Sequence, residues 1–368
     1  MEWDGMSQEL VDTFCKMVRI SSESGEEKEF IFYLHDLFTS GLNTTCSIDP
    51  SGNLIAKIPA KNTPVTESVL FGVHADTVKP GKNIEPVLKD GVLRPKGGTI
   101  LGADDKAGIA ELYEAVRTAE RHPPLEIIVS VGEEIGHIGS RTLDPTLLRS
   151  KIGFVIDTDN LDSIVVGGPS HMRIDVDIIG KAAHAGMEPE KGISSIKAAA
   201  YAITMLKEGW IDAETTVNIG IINGGQVLNA VPERTNVKIE CRSQSHEKCL
   251  YQSNLIKEVF VTAARAIGAQ AEVKMELGTT AFRVSEDAQA VRVAKKAVSL
   301  IGLEPRILTS CGGSDATSYN EKKIETVVIG MGAKAVHTKE EHIAVEDMEK
   351  AVAIIRHICE ELSHGTNT

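Results

Sequence analysis

The sequence has few cysteines, no excess of basic charge and no long apolar run. Its six cysteines contain no C-x-x-C pair, which argues against a disulfide framework or a structural Cys-zinc site and favours reduced thiols. A formal net charge of −13, with no lysine and arginine cluster, disfavours nucleic acid and anionic membranes as partners. No window approaches the roughly 18 to 20 apolar residues that a bilayer span needs, and the start "MEWDGMSQEL" lacks the apolar core of a signal peptide. We therefore expect a cytoplasmic protein.

What is present is a chain long enough for two domains. With 368 residues, of which 42% are hydrophobic and 25% charged, it has the composition of a soluble globular protein larger than one ordinary core. Up to about residue 165, short apolar runs such as "SVLFGV", "LEIIVSV" and "GFVI" alternate with helical stretches. These runs are continuous, as in strands buried on both faces of a parallel sheet. They predict an α/β domain with a mixed, mostly parallel sheet flanked by helices.

The pattern changes near residue 172. "RIDVDII", "TTVNIGI", "NVKIEC" and "AEVKMEL" alternate apolar and polar residues, as half-exposed antiparallel strands do. With helical stretches at about 193–207 and 246–267, the order is βαββαβ, the ferredoxin-like unit. After about residue 283 the α/β pattern returns. We therefore expect residues 171–282 to form a domain inserted into one made of residues 1–170 and 283–368.

Acidic residues and histidines follow the buried-looking runs. In open parallel sheets, the carboxyl ends of the strands form the crevice in which ligands bind, so these side chains are expected to meet at one edge of the sheet. They are His74 and Asp76 after "FGV", Glu133 and Glu134 after "VSVG", Asp157 and Asp159 within "FVIDTD", and His337 after "VVIGMGAKAV".

Such a concentration of carboxylates needs compensation. Two like charges about 4 Å apart repel by roughly 4 kcal/mol at an effective dielectric constant of about 20, so either their pKa values rise or a cation lies among them. Nitrogen and oxygen ligands without paired thiolates favour zinc, manganese or cobalt. Two ions about 3.5 to 4 Å apart, bridged by a carboxylate, would use the whole ligand set.

Each motif taken singly has an ordinary structural explanation. A His-x-Asp sequence suits a polar turn, a Glu-Glu pair suits exposed surface, and "ADDK" suits the start of a helix. Their joint placement after apolar runs favours the metal site. Other classes of site are not supported: "GGTILGADDK" has Ala-Asp where a phosphate loop requires Lys-Ser/Thr, and the dinucleotide fingerprint and G-x-S-x-G are missing.

Eight motifs, in this order, resemble the co-catalytic zinc metallopeptidases that include peptidase T, carboxypeptidase G, aminoacylase and succinyl-diaminopimelate desuccinylase. They are "HADT", "GADDKAG", "GEE", "VID", "GKAAHAG", "NAVPE" followed by "CRS", "GGSDA" and "HTKEEHI". The resemblance is strongest to peptidase T, mainly through "LGADDKAG". It implies a zinc-peptidase catalytic domain with an inserted lid, and two zinc ions, with cobalt or manganese as alternatives. It also implies the ligands: Asp104 bridges the ions, His74 and Asp157 complete one, and Glu134 and His337 complete the other.

The resemblance also assigns roles near the metals. Asp76 is expected to accept a hydrogen bond from the far nitrogen of His74, Asp105 to lie behind the bridge in a cis peptide with Asp104, and Lys106 to offset charge. Glu133 is expected to be the general base. Neighbouring residues of an extended segment point opposite ways, so Glu134 can face the metal while Glu133 faces a water whose pKa the metal lowers from 15.7 to about 7.

The inserted domain is expected to supply substrate contacts. In relatives, the counterpart of His184 stabilises the tetrahedral oxyanion, sometimes across a dimer, and that of Arg242 grips a substrate carboxylate. From the residues alone, a surface histidine and a strand-end arginine in a salt bridge are the preferred explanations. We further expect substrate-backbone contacts from Asn229 and the turn Gly312, Gly313, Ser314 and Asp315. Cys311 replaces the arginine that precedes this turn in peptidase T, which bears on tripeptide selectivity.

The sequence thus predicts a di-zinc exopeptidase that cleaves the N-terminal peptide bond of short peptides, with a possible homodimer through the lid. Two other interpretations stay open. One is a related amidohydrolase acting on N-acyl amino acids or dipeptides. The other is a catalytically silent protein that holds a peptide or metal in the same cleft.

Overall fold

The protein is described by a computed structural model that covers residues 5–364 and divides into two compact units. We call them the larger unit, made of Met1–Gly167, Arg283–Thr309 and Gly313–Thr368, and the inserted unit, made of Gly168–Phe282 and Ser310–Gly312. Among residues 5–364, no helix combines the length and the apolar character needed to cross a membrane.

Helices and strands alternate along most of the chain. The helices are α1 (Gly5–Arg19), α2 (Lys28–Gly41), α3 (Ala103–Thr118), α4 (Ile138–Thr142), α5 (Ser195–Thr204), α6 (His246–Ala266), α7 (Gln289–Leu300), α8 (Ala316–Glu321) and α9 (Val345–Leu362). The strands are β1 (Thr45–Ile48), β2 (Leu54–Ile58), β3 (Val69–His74), β4 (Pro86–Lys89), β5 (Val92–Pro95), β6 (Leu125–Ser130), β7 (Ile152–Thr158), β8 (Ser163–Val165), β9 (Gly167–Gly168), β10 (Ser170–Ile179), β11 (Gly209–Trp210), β12 (Thr215–Gly224), β13 (Arg234–Ser243), β14 (Gln270–Thr279), β15 (Phe282–Arg283), β16 (Arg306–Leu308), β17 (Glu325–Gly330) and β18 (Ile343–Ala344).

The larger unit is built on an eight-stranded sheet in the order β1-β2-β6-β3-β7-β17-β8-β16. Its central strands β6, β3, β7 and β17 run parallel to one another, whereas β1 with β2, β2 with β6 and β17 with β8 are antiparallel. The sheet is therefore mixed and mostly parallel at its centre, which confirms the predicted class of fold.

Continuous apolar sequence produces these central strands. Every residue of β3 and of β6 is buried, as expected for strands covered on both faces. Phe71 and Phe154 lie opposite each other in the β3–β7 register, with ring centroids 5.6 Å apart. Helix α3 is buried along nearly its whole length and contacts β3, β7, α1 and α9, so it forms part of the core that supports the strand ends.

A bulge interrupts the pairing of β7 with β17. Ile156 lies opposite Ile329, but Thr158 lies opposite Gly330, so Asp157 is an extra residue on β7. A bulge of this kind redirects a side chain and commonly lies beside a functional site. Here it lies at the carboxyl end of the strand.

The inserted unit carries a separate antiparallel sheet in the order β11-β12-β13-β10-β14. Its main elements follow the order β10, α5, β12, β13, α6, β14. Burial alternates along β10 and β13, because one face packs against the helices. The core of the unit includes Ile174, Val176, Val237 and Phe260. The separate antiparallel sheet predicted from the alternating segments is thus confirmed.

Candidate metal centre

Four neighbouring strands deliver the candidate ligands. His74 is the last residue of β3, Asp157 is the bulged residue near the end of β7, and Glu134 follows β6. His337 lies in the loop after β17, and Asp104 lies at the start of α3. Because β6, β3, β7 and β17 are adjacent and parallel, their carboxyl ends lie along one edge of the sheet, as the sequence pattern predicts.

Asp104 lies between two imidazoles. The Nε2 atom of His74 is 3.0 Å from its Oδ1 atom and 3.8 Å from Oδ1 of Asp157. The Nε2 atom of His337 is 3.1 Å from Oδ2 of Asp104 and 2.8 Å from Oε1 of Glu134. The two carboxylate oxygens of Asp104 therefore face two separate pairs of donors, which is the placement a bridging ligand requires. One ligand atom each from His74, Asp104 and Glu134 lies within 4.8 Å of the others.

The ionisation of this cluster reflects a need for positive charge. Burial alone would lower the pKa of His74, but hydrogen bonds to Asp104 and Asp76 raise it well above its usual range. Hydrogen bonds to Asp104 and Glu134 raise the pKa of His337 to about 11. Burial and the nearby carboxylates of Glu133 and Asp104 raise the pKa of Asp157. The carboxylates around both imidazoles therefore favour a positive charge at this position.

Asp76 supports the centre differently from the expectation. The Nδ1 atom of His74 donates to the main-chain oxygen of Asp76 at 2.9 Å, and the nearer carboxylate oxygen is 3.5 Å away. That carboxylate accepts the main-chain N–H groups of Glu133 and Glu134 at 2.9 and 3.1 Å and the hydroxyl of Ser24 at 2.7 Å. Asp76 therefore leaves Nε2 of His74 free to face Asp104 and also holds the turn that carries both glutamates.

Glu133 lies on a turn, so the expectation of an extended segment is wrong. Gly132 has φ 62°, and the N–H groups of Gly136 and His137 donate to the main-chain oxygen of Glu133 at 2.9 and 2.8 Å. The Glu133 side chain is buried, with Oε1 3.1 Å from Nε2 of His137. Burial raises its pKa well above the usual range, and the charge of His74 only partly offsets this. A carboxyl group in this state suits proton transfer near neutral pH.

The two residues after Asp104 have different surroundings. Asp105 accepts the main-chain N–H of His74 at 3.0 Å, and its peptide bond with Asp104 is cis. Lys106 points elsewhere: its ammonium donates to the main-chain oxygen of Ile20 at 2.6 Å and lies 4.5 Å from the ring centroid of Phe30. Burial lowers its pKa to about 7. Its ammonium makes no hydrogen bond to the aspartates, and the charge it interacts with is that of Glu341.

Three expected substrate residues belong to the inserted unit. His184 is exposed and forms an isolated bridge with Ala230, while the main-chain oxygen of Asn229 accepts the N–H of Ala185 at 3.0 Å. Arg242 donates to the main-chain oxygen of Cys311 at 3.3 Å and to Oε2 of Glu240 at 3.1 Å. The arginine thus makes the salt bridge that the residues alone favoured.

The Gly-Gly-Ser-Asp turn does not present all its polar groups outward. Gly312 donates its N–H to the hydroxyl of Ser310 at 2.8 Å, and the Ser314 hydroxyl accepts from Ala316 at 3.3 Å. Asp315 is 1% exposed and accepts the hydroxyls of Ser130 and Ser140. Its carboxylate therefore supports the end of β6, and the expectation that it contacts substrate is not supported by this position.

Two polar residues around the centre are not among those that the sequence predicts. His137 contacts Glu133, and Glu341 accepts three main-chain N–H groups from the segment that leads to Asp104. The motif "HTKEEHI" marks this loop in the sequence and contains two consecutive glutamates. Nothing in the pattern distinguishes Glu341 from Glu340, because the difference arises from contacts distant in sequence.

Comparisons with known proteins agree over almost the whole chain. Residues 70–361 match the model of peptidase family M20/M25/M40. The uncharacterised protein YqjE of Bacillus subtilis (strain 168) is 38% identical over 365 residues, covering 96% of this chain and 98% of that protein. The crystal structure of aminopeptidase PepT from Bacillus cereus ATCC 10987 has a TM-score of 0.88 at 37% identity and covers 97% of this chain and 100% of that one. A tripeptidase from Staphylococcus aureus has a TM-score of 0.92 at 32% identity, with coverages of 97% and 99%.

Proposed function

Because this chain belongs to peptidase family M20/M25/M40, as its motifs indicated, we propose that it is a di-zinc exopeptidase that removes the N-terminal residue from short peptides. The observation that carries the proposal is the position of Asp104 between His74 and His337, with Asp157 and Glu134 beside them. The likeness to an aminopeptidase and a tripeptidase supports the choice of an N-terminal cleavage.

The donor set fits a pair of divalent ions. Asp104 would contact both, His74 and Asp157 would complete one set of ligands, and Glu134 and His337 the other. All five donors are imidazole nitrogens or carboxylate oxygens, which suit zinc and also cobalt or manganese. When bound, such ions polarise an amide carbonyl and lower the pKa of a water from 15.7 to about 7.

Glu133 then has the role of general base. Its buried carboxylate lies next to the ligand Glu134 without belonging to the ligand pairs, and its raised pKa favours taking a proton at neutral pH. The same carboxyl group would return the proton to the leaving amine. The Asp76 carboxylate accepts the main-chain N–H of Glu133 and so fixes the backbone from which the side chain of the base extends.

We propose that the inserted unit is a ferredoxin-like lid and that it contacts the substrate. His184 would stabilise the oxyanion and Arg242 the free carboxylate of the substrate, because guanidinium pairs with carboxylate through two hydrogen bonds. Asn229 and the Gly312–Ser314 turn would contact its backbone. In the part of the chain that the structure describes, the edge of β12 beyond its pairing with β11 is unpaired, and the strand carries exposed isoleucines at 221 and 222. Because an unpaired edge can pair with a second copy, we include a homodimer through this lid in the proposal.

The related amidohydrolase stays the second candidate because of Cys311, which lies beside Arg242 at the position where peptidase T has arginine. The free amine of the substrate separates the two activities. We would incubate the protein with zinc, cobalt or manganese and a panel of free and N-acetylated di- and tripeptides, and identify products by mass spectrometry. An aminopeptidase loses activity on N-acetylation, whereas an acylase gains it. Cleavage of no substrate with any metal would refute both and favour a binding protein.

A further inference from the structure

Glu341 is a buried carboxylate whose two oxygens are both used by one short segment. Its Oε2 atom accepts the main-chain N–H groups of Leu101 and Gly102, each at 2.8 Å, and its Oε1 atom accepts that of Asp104 at 3.0 Å. The residue is 1% exposed. Hydrogen bonds from N–H groups to a carboxylate are about twice as strong as those between neutral groups, so this contact fixes the segment firmly.

The segment needs such a partner because it is irregular. Gly102 adopts a left-handed conformation with φ 70°, and Asp104 has φ −83° and ψ 105°, outside the helical region. The N-cap residue of α3 is Gly102, which has no side chain to cap the free N–H groups, and such groups favour a negative charge. Glu341 supplies it from 237 residues further along the chain. The position of the Asp104 carboxylate therefore depends on Glu341.

Glu341 also belongs to the loop that carries His337. In that loop Ala335 and His337 have φ values of 52° and 64°, a left-handed conformation that is unfavourable for a non-glycine residue and persists only when its surroundings enforce it. The His337 side chain is 49% exposed, so packing contributes little to holding it. The loop is closed by hydrogen bonds between Lys334 and His342, and Glu341 donates its N–H to the oxygen of Thr338 at 3.2 Å.

The other imidazole does not depend on this contact. His74 lies on the buried strand β3, and its ring and main chain are held by Asp76 and Asp105. His337 and Asp104 come from two irregular segments, yet Nε2 of His337 lies 3.1 Å from Oδ2 of Asp104. Glu341 is the group that joins these two segments.

We propose that Glu341 is a positioning residue that sets the affinity of the ion held by His337, Asp104 and Glu134 more than that of the ion held by His74, Asp104 and Asp157, because Glu341 belongs to the His337 loop and contacts the Asp104 segment but not His74 or Asp157. The inference rests on the proposed function, because it assumes the two ions. In this role the Glu341 carboxylate contacts neither substrate nor metal.

The test compares Glu341→Gln with Glu340→Gln, which makes the same change one residue earlier on an exposed side chain. The amide keeps the shape but has one acceptor oxygen where two are used. We would measure metal content after dialysis, both dissociation constants by competition with a chromophoric chelator, and the visible spectrum of the cobalt-loaded protein. For Glu341→Gln we expect one of the two dissociation constants to rise about 10- to 100-fold and the other by a smaller factor. Glu340→Gln should match the wild type.

The outcomes separate this inference from the proposed function. If the wild type binds two ions and Glu341→Gln binds both with unchanged constants, the role of Glu341 is refuted while the di-metal centre stands. If the wild type binds fewer than two ions, the centre itself fails and this inference with it. Should Glu341→Gln not fold, Glu341→Asp keeps the charge on a shorter side chain and is expected to weaken the same ion. Failure of both variants to fold with metal present would assign Glu341 to overall stability and overturn the proposal.

Discussion

Replacing Glu133 with glutamine tests the proposed chemistry most directly. The change keeps the volume of the side chain and removes the carboxylate that would accept a proton. The position tolerates it, because the backbone of Glu133 is held by Asp76 and the side chain contacts His137, which can pair with an amide as well as with a carboxylate. The five proposed ligand side chains are unchanged, so both proposed ions are expected to remain bound.

The expected loss can be stated as a range. General acid–base catalysis contributes about 10²- to 10⁴-fold, which at about 1.36 kcal/mol per tenfold corresponds to a barrier increase of roughly 2.7 to 5.5 kcal/mol. We expect this loss in kcat, with little change in KM, in initial rates measured at saturating concentrations of the best peptide from the panel. Metal content would be measured on the same samples.

The matched control is Asp159→Asn, which removes the same charge from a half-buried carboxylate two residues beyond the ligand Asp157. Its kcat should fall by less than about tenfold, since it removes no proton acceptor. A Glu133→Gln enzyme that keeps both metals and a kcat similar to that of the control would refute the role of Glu133. Loss of metal together with activity would instead make Glu133 a structural support of the ligands.

Two further predictions concern the stability of each unit. A hydrogen bond from His171 and the charge of Arg242 lower the pKa of Glu240 to about 2 from 4.5. The contribution of the Glu240 carboxylate to folding is therefore present above pH 4.5 and is lost as the pH falls through about 2. After discounting for exposure, we expect Glu240→Gln to lower the free energy of unfolding by about 1 kcal/mol at pH 7 and by almost nothing at pH 2, as measured by denaturant unfolding at both pH values. Phe71→Ala should lower the free energy of unfolding by about 3 to 5 kcal/mol, because the buried ring of Phe71 lies at the centre of the large sheet. The control Phe32→Ala, which changes a half-exposed side chain on α2, should lower it by less than about 1 kcal/mol. Equal losses of thermal stability in the two variants would contradict this account of the core.

The class of fold follows from local sequence because the two kinds of strand have different patterns. Runs such as "LEIIVSV" lack alternation since both faces of β6 are covered, whereas "RIDVDII" alternates since one face of β10 is exposed. The meeting of the ligands at one edge follows from the same pattern, because parallel strands end on the same side.

Details of the site were beyond the sequence because they depend on contacts between distant segments. Lys106 follows two aspartates in the chain, yet its ammonium turns towards Ile20. The carboxylate of Asp76 accepts the main-chain N–H groups of Glu133 and Glu134, which lie 57 and 58 positions further along the chain. Neither choice of partner leaves a trace in spacing or composition, since each is decided by which segments the sheet brings together.

The position of β17 in the sheet has a consequence for the order in which the chain can be assembled during synthesis. Strands β7 and β8 are separated by only a few residues, yet β17, made more than 150 residues later, lies between them. Until β17 has emerged from the ribosome, one edge of β7 is unpaired and apolar. Exposed edges of this kind favour aggregation of nascent chains. The loop bearing His337 follows directly after β17, so the last ligand reaches the centre only when the sheet itself is complete.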